Sequence, residues 1–175
     1  LCAIHSGAFG VSEINRLITS HMLSRKWIVI GSNDPYTDAH FHGQPILITQ
    51  NDYELDLFNG DIGMIWQDDS GRLRAYFRST DDNLRELPLQ SLVAYDPAWA
   101  MTVHKSQGSE FDTVLLILPG EDALHSLSRE LLYTGATRAR QHLYIHASDT
   151  SIISSCRTIT QRHSGLAQKL GWMES

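Results

Sequence analysis

Nowhere does this chain run apolar for long: its longest aliphatic stretch, Val114 to Leu118, falls far short of the roughly 20 residues that a membrane-spanning helix needs. No basic start followed by an apolar run resembles a signal peptide, so the expectation is neither a membrane-spanning nor a secreted chain. Cysteine is scarce as well. Cys2 and Cys156 lie near opposite ends without metal-ligand spacing, which suits a reducing, cytoplasmic setting better than a disulfide framework. Lysine is a third shortage: only Lys26, Lys105 and Lys169 are present and none follows a glycine. The chain therefore holds no Gly-x-x-x-x-Gly-Lys-Ser/Thr loop, whose backbone amides and lysine cradle phosphates. Nor does an apolar strand end in an Asp-Glu pair suited to magnesium. Bulk positive charge is missing too, since 14 Lys and Arg against 20 Asp and Glu leave −6, which argues against gripping nucleic acid by net charge alone.

What charge there is lies unevenly. Residues 44–92 carry four basic and nine acidic side chains, net −5, while residues 1–43 balance to zero. That change of composition predicts a separate unit, residues 44–92, inserted into a domain formed by residues 1–43 and 93–175. The chain begins at Leu1, inside what reads as a strand, and is expected to be a piece of something longer.

Leu1 to His5 reads as a short buried strand and Gly7 to Gly10 as a turn. Val11 to Ser24 follows as a helix with Ile14, Leu17, Ile18 and Met22 on one face. Gly31 to Gly43 is polar, aperiodic and turn-rich, and is expected to be a mobile loop. Within it Asp38, His40 and His42 alternate as metal ligands do, but a structural site wants four ligands, and loop histidines are the better reading. In the insert, Pro45 to Thr49, Ile62 to Gln67 and Leu73 to Phe77 have strand character, separated by the hairpin signals Asn59-Gly60 and Asp68-Asp-Ser-Gly71. Short strands with tight turns predict a small antiparallel barrel. Beyond it, Asp96 suits an N-cap and Pro97 a first helical position, with Gly108 as a stop; this predicts a helix over Ala98 to Gln107, with Trp99 and Val103 on its buried face. Thr113 to Leu118 reads as a buried strand, Ser128 to Arg140 as a helix capped by Ser128, and His142 to Ala147 as another strand. The tail from Ser148 reads as two short helices. Strand and helix alternate as in a parallel α/β sheet.

Two segments concentrate polar chemistry. In Met101-Thr-Val-His-Lys-Ser-Gln-Gly-Ser-Glu-Phe-Asp112, residues Thr102, His104 and Lys105 supply donors. Gly108 lets backbone approach a ligand, and Glu110 can accept from sugar hydroxyls. In Arg129-Glu-Leu-Leu-Tyr-Thr-Gly-Ala-Thr-Arg-Ala-Arg140, the small residues Gly135, Ala136 and Ala139 allow close packing on a sheet. Arg138 and Arg140 project, and a guanidinium so placed suits charge on a transferring phosphoryl group.

Together these segments resemble the late motifs of the superfamily 1 helicases, and more narrowly motifs five and six of the RecD family, the alpha subunits of exodeoxyribonuclease V. Leu1 to Val11, Asn51 to Gly63 and the tail Arg157 to Leu166 resemble that family as well. The resemblance implies the second, RecA-like motor domain of a P-loop NTPase, interrupted by a Src-homology-3-like barrel. It implies ATP and Mg2+, bound mainly by a first motor domain, single-stranded and duplex DNA as partners, and RecB and RecC as companion subunits. It implies that Arg138 contacts the γ-phosphate, that Gly108 and Glu110 lie near the nucleotide, and that Thr102, His104 and Lys105 touch the DNA backbone. Gln107 would couple the two sites. His5 stands where superfamily members often place an arginine. Asn59, in Asn59-Gly60-Asp61, is a further candidate for DNA contact, although Asn-Gly is first of all a turn. Lacking the phosphate loop, the segment is expected to turn over no ATP alone; a non-catalytic nucleic-acid-binding or subunit-scaffolding module is the competing reading.

Overall fold

The computed structural model describes residues 1–29, 40–79, 81 and 83–159. Its first unit is parallel. Strand β6 (Phe111–Ile117) pairs with β7 (Ala139–His146), Thr113 opposite His142 and Ile117 opposite His146. On the far side of β6 the chain start adds a third, minimal strand: the Ala3 N–H donates to the Ile117 carbonyl at 3.1 Å and the Ile117 N–H to the Leu1 carbonyl at 2.8 Å. Cys2 in turn bridges Thr102, also in parallel, with the Val103 N–H donating to the Cys2 carbonyl at 3.0 Å. Four stretches thus lie side by side in the order Thr102, Cys2, β6, β7.

Helix α1 (Val11–Ser24) starts where the sequence places it. Gly10 is required there, because a Cβ on it would stand 2.6 Å from the Ser6 carbonyl carbon. The buried stripe of α1 differs from the aliphatic one expected, since Val11 and Asn15 are buried while Leu17 is 47% exposed. Helix α2 (Arg129–Ala136) is capped as expected, the Ser128 hydroxyl accepting from the Leu131 N–H at 3.2 Å. It presses onto β6 so closely that a Cβ on Gly135 would lie 2.9 Å from Leu116 Cδ1 and 3.2 Å from Val103 Cγ2. Val103, Val114, Leu116, Leu118, Leu127 and Leu131 form the core between them. Helix α3 (Asp149–Arg157) is the first of the two expected tail helices; the second lies outside the described residues.

The second sheet is antiparallel, in the order β4 (Leu84–Pro88), β3 (Leu73–Arg78), β2 (Ile62–Gln67), β1 (Gln44–Ile48), β5 (Tyr95–Pro97). Its inner face buries Ile46, Ile48, Leu57, Ile65, Ala75, Phe77, Leu89 and Leu92. The β2–β3 turn is built by Asp68, whose Oδ1 accepts from the N–H groups of Ser70 and Arg72, both at 2.9 Å, and from the Ser70 hydroxyl at 2.6 Å. These bonds hold its carboxyl well below the usual range, at about 2.

Several expectations are corrected. The antiparallel sheet is open: among the described residues no pairing joins β4 to β5, so it is not a closed barrel. The strand β4 was not anticipated. Nor is there a helix over Ala98 to Gln107. Asp96 and Pro97 belong to β5, where Asp96 pairs with Leu47 and Pro97 with Ile46, and Thr102 bridges Cys2. Long-range sheet pairing takes the backbone groups that a helix would have used. Arg138 and Arg140 also leave the helix, which stops at Ala136; Arg138 lies in the turn and Arg140 in β7. Most of the segment expected to be mobile, with Asp38, lies outside the described residues. Its end is ordered, with Phe41 buried and stacked on Trp99, centroids 6.3 Å apart.

Candidate functional site

The polar segment after Thr102 is a run of tight turns. The Ser106 N–H donates to the Thr102 and Val103 carbonyls at 3.2 and 3.3 Å, the Gln107 N–H to the His104 carbonyl at 3.3 Å, and the Ser109 N–H to the Ser106 carbonyl at 3.0 Å. Two anchors fix it. Ser106 is fully buried, its hydroxyl donating to the Val103 carbonyl at 2.8 Å, and Val103 sits in the core beneath α2. Thr102 Oγ1 accepts from the Lys105 N–H at 3.2 Å, and Lys105 Nζ stands 3.9 Å from Asp96 Oδ2. The turn thus presents His104 and Gln107 outward while its apolar members hold it down. Gly108, at φ +87°, reverses the chain into β6 with open space where a side chain would stand.

That reversal brings the two sequence segments together. The Phe111 N–H donates to the Arg138 carbonyl at 2.8 Å, and Arg138 Nη1 donates to the Ser109 carbonyl at 3.1 Å. Arg138 is held at two further points, Nε donating to the Thr134 carbonyl at 3.1 Å and Nη2 to Thr137 Oγ1 at 3.3 Å. A guanidinium carries five N–H donors, so its outer edge keeps donors for an anion while its plane is fixed. Beside it, Arg140 Nε donates to Glu110 Oε2 at 3.0 Å in an exposed pair. Arg138, Gly108 and Glu110 therefore form one wall: a fixed cation, a bare backbone turn and an exposed carboxylate. The arrangement offers N–H donors to an anion and a carboxylate that can accept from hydroxyl groups.

The other candidates distribute differently. His104 and Gln107 line a cleft of about 450 Å³ between the turn, the residues preceding α2 and the α2 surface. His125 lines it too; no motif marks this residue, and only the chain path places it there. Asn59 lies in the β1–β2 connection, its N–H donating to Asn51 Oδ1 at 2.8 Å within its own loop. His40 and His42 have local partners: the Tyr95 hydroxyl lies 3.0 Å from His40 Nε2, and His42 Nδ1 accepts from the Gln67 N–H at 3.2 Å. His5, exposed, lies 3.4 Å from the Ser6 hydroxyl through Nδ1.

Residues 97–146, which span both halves of this wall, match the UvrD-like helicase C-terminal domain. Among curated relatives, the RecBCD enzyme subunit RecD of Buchnera aphidicola subsp. Schizaphis graminum is 36% identical over 157 residues, covering 89% of this chain and 25% of that protein. The RecBCD enzyme subunit RecD of Mycobacterium tuberculosis (strain ATCC 25618) is 35% identical over 97% of this chain and 28% of its own. The ATP-dependent RecD2 DNA helicase of Deinococcus radiodurans is 36% identical over 73% of this chain and 18% of its own. In fold, the chain is similar to the Pif1 helicase from Bacteroides solved in complex with ADP-AlF3 and ssDNA, with a TM-score of 0.50 at 20% identity over 97% of this chain and 44% of that one. The chain thus spans about a quarter of the length of the RecD subunits that it matches. No helix among the described residues is long and apolar enough to cross a membrane.

Proposed function

This chain belongs to the RecD family of helicases, and from that premise we propose that it forms the C-terminal part of the motor of an ATP-dependent DNA helicase, the alpha subunit of a cytoplasmic exodeoxyribonuclease V. Its work there is single-stranded DNA translocation and duplex unwinding in recombinational break repair, alongside RecB and RecC. The observation that supports this most directly is the junction of Ser109 and Arg138, at 3.1 Å, which unites the two polar segments into a single wall. In this reading the parallel unit, residues 1–43 and 93–175, is a RecA-like domain. Residues 44–92 are an insert related to Src-homology-3-like barrels, although its sheet is open and extends through Tyr95–Pro97.

Bound ATP with Mg2+ supplies the phosphoryl transfer that drives movement, and most of its ligands belong to a first motor domain outside this chain. What this chain contributes is positional. Arg138, immobilised by two carbonyls and a hydroxyl, offers its remaining N–H groups to phosphate oxygens and gains from losing little rotamer freedom. Gly108 leaves room for a close approach of backbone, and Glu110 faces the sugar side. Thr102, His104 and Lys105 take the DNA backbone, and Asn59 is a secondary contact from the insert. Gln107, two residues beyond Lys105 and one before Gly108, joins the two surfaces mechanically.

The test compares the 175-residue chain with the full-length polypeptide. The isolated chain is expected to show no ATP turnover above a no-protein control, while the full-length polypeptide turns over ATP in a DNA-stimulated manner. Turnover by the isolated chain, or none by the full-length polypeptide assembled with its partner subunits, contradicts the proposal.

A further inference from the structure

Resting on the DNA-contact reading of the Thr102 turn, we propose that Asn15 is a positioning residue for that turn: by holding Ala100 it sets where Thr102 and Lys105 stand, without touching DNA itself. Residues 99 and 100 belong to no helix or strand, so no local element fixes the direction in which the chain enters the turn. Partners from three distant places do so instead. On the side of the antiparallel sheet, the Ala98 N–H donates to the Pro45 carbonyl at 2.9 Å. On the side of the turn, the Cys2 N–H donates to the Met101 carbonyl at 2.9 Å and the Val103 N–H to the Cys2 carbonyl at 3.0 Å. Between them both backbone groups of Ala100 go to one side chain. Asn15 Nδ2 donates to the Ala100 carbonyl at 3.1 Å, and Asn15 Oδ1 accepts from the Ala100 N–H at 2.9 Å. A planar amide that makes two bonds fixes the tilt of residue 100 as well as its place, which a single bond does not.

The clamp lies two residues before the turn, and its effect continues into it. Thr102 Oγ1 accepts from the Lys105 N–H at 3.2 Å, and Lys105 Nζ stands 3.9 Å from Asp96 Oδ2. Lys105 therefore closes back onto the same stretch of chain that Asn15 holds in the middle. Both side chains of that ion pair are partly exposed, and a pair of this kind is too weak to hold the turn by itself. Asn15 is seated independently of the turn, because α1 starts with the Val11 and Ser12 N–H groups donating to the Ile4 and His5 carbonyls, both at 3.1 Å. Without the amide, residue 100 has freedom to rotate, and Thr102 and Lys105 are no longer held in place before DNA arrives. Their ordering is then charged to binding, and for two side chains that weakens affinity about 5- to 150-fold.

The experiment titrates the full-length polypeptide with a fluorescent single-stranded oligodeoxynucleotide over a range of salt concentrations, well below the unfolding midpoint of each variant. Asn15→Ala is expected to weaken binding about 5- to 150-fold. It should also flatten the plot of log affinity against log salt by about 0.7, the share of one lost phosphate contact. Lys105→Ala should flatten the plot equally, and the double variant should lose no more slope than either single one. A merely structural Asn15 would lower the unfolding midpoint but leave the folded protein with wild-type affinity and slope, and that result overturns the proposal. Asn15→Ser keeps a hydroxyl for one of the two Ala100 groups and is read in the same way if Asn15→Ala does not fold; failure of both to fold also overturns it. Failure of the underlying reading looks different. If Thr102→Ala and Lys105→Ala both bind with wild-type affinity and slope, the turn is not a DNA contact and both readings fall, whereas losses there with Asn15→Ala unchanged remove only the positioning role.

Discussion

The side chain of Asn15 pairs with both backbone groups of Ala100: Nδ2 donates to the Ala100 carbonyl at 3.1 Å, and the Ala100 N–H donates to Oδ1 at 2.9 Å. Asn15 is 6% exposed and Ala100 8%, so neither group has water as an alternative partner. The pair clamps α1 to the irregular segment leading into the Thr102 turn, 85 residues away in sequence. It stands in for the sheet partner that residue 100 lacks.

Asn15→Leu is therefore expected to destabilise the protein although it makes α1 more apolar. Leaving a buried carbonyl and N–H unpaired costs about 1–3 kcal/mol each. Urea unfolding should show a lower midpoint with an unchanged slope; a variant as stable as wild type would show that the clamp contributes nothing.

The contact between α2 and β6 gives a second prediction. Gly135→Val pushes side-chain atoms into Leu116 and Val103, which already stand 2.9 to 3.2 Å from where the first added carbon would be. Overpacking of this kind costs about 1–3 kcal/mol. Because Arg138 follows Gly135 by one short turn, ATP turnover in the full-length polypeptide should fall along with thermal stability. Unchanged melting would place α2 further from β6 than described.

Asp68 gives a prediction in pH. Its folded carboxyl sits at about 2 against an ordinary value of 3.8, so the turn contributes stability above that ordinary value and loses it as pH falls towards 2. The difference in stability between wild type and Asp68→Ala should be constant near neutrality and shrink on acidification across this window. A gap that persists undiminished at the acid end would mean that the ionised carboxylate is not the stabilising group.

How legible these features are in the sequence depends on whether the signal is local. The start of α1 after Gly10, the Ser128 cap and the β2–β3 turn at Asp68 to Gly71 are all set by neighbouring residues, and each is readable. The stretch from Asp96 to Gln107 is not. Asp-Pro is a good helix start, yet Leu47 and Cys2 compete for the same backbone from distant positions, and no local pattern announces them. Asn15 is missed for the same reason: an asparagine on a helix reads as a surface residue until its carbonyl partner arrives from elsewhere. At the site, residue identity is readable from the two polar segments, but their geometry is not. Arg138 reads as one more helix residue, whereas the chain leaves the helix at Ala136 and the arginine becomes a fixed member of the turn.

Arg138 carries the central claim, and Arg140 is its internal control. Both flank Ala139, yet Arg138 is tied to the Ser109 and Thr134 carbonyls while Arg140 makes an exposed ion pair with Glu110. An exposed pair of that kind is worth about 0–1 kcal/mol, whereas removing an arginine that contacts the transferring phosphoryl group costs about 10³–10⁵ in turnover. The decisive measurement is steady-state, DNA-stimulated ATP turnover by the full-length polypeptide carrying Arg138→Ala or Arg140→Ala, each checked for single-stranded DNA affinity. The account predicts that Arg138→Ala loses at least about 10³ in turnover with DNA affinity retained, and that Arg140→Ala stays within a few-fold of wild type. Equally mild losses in the two variants would contradict it.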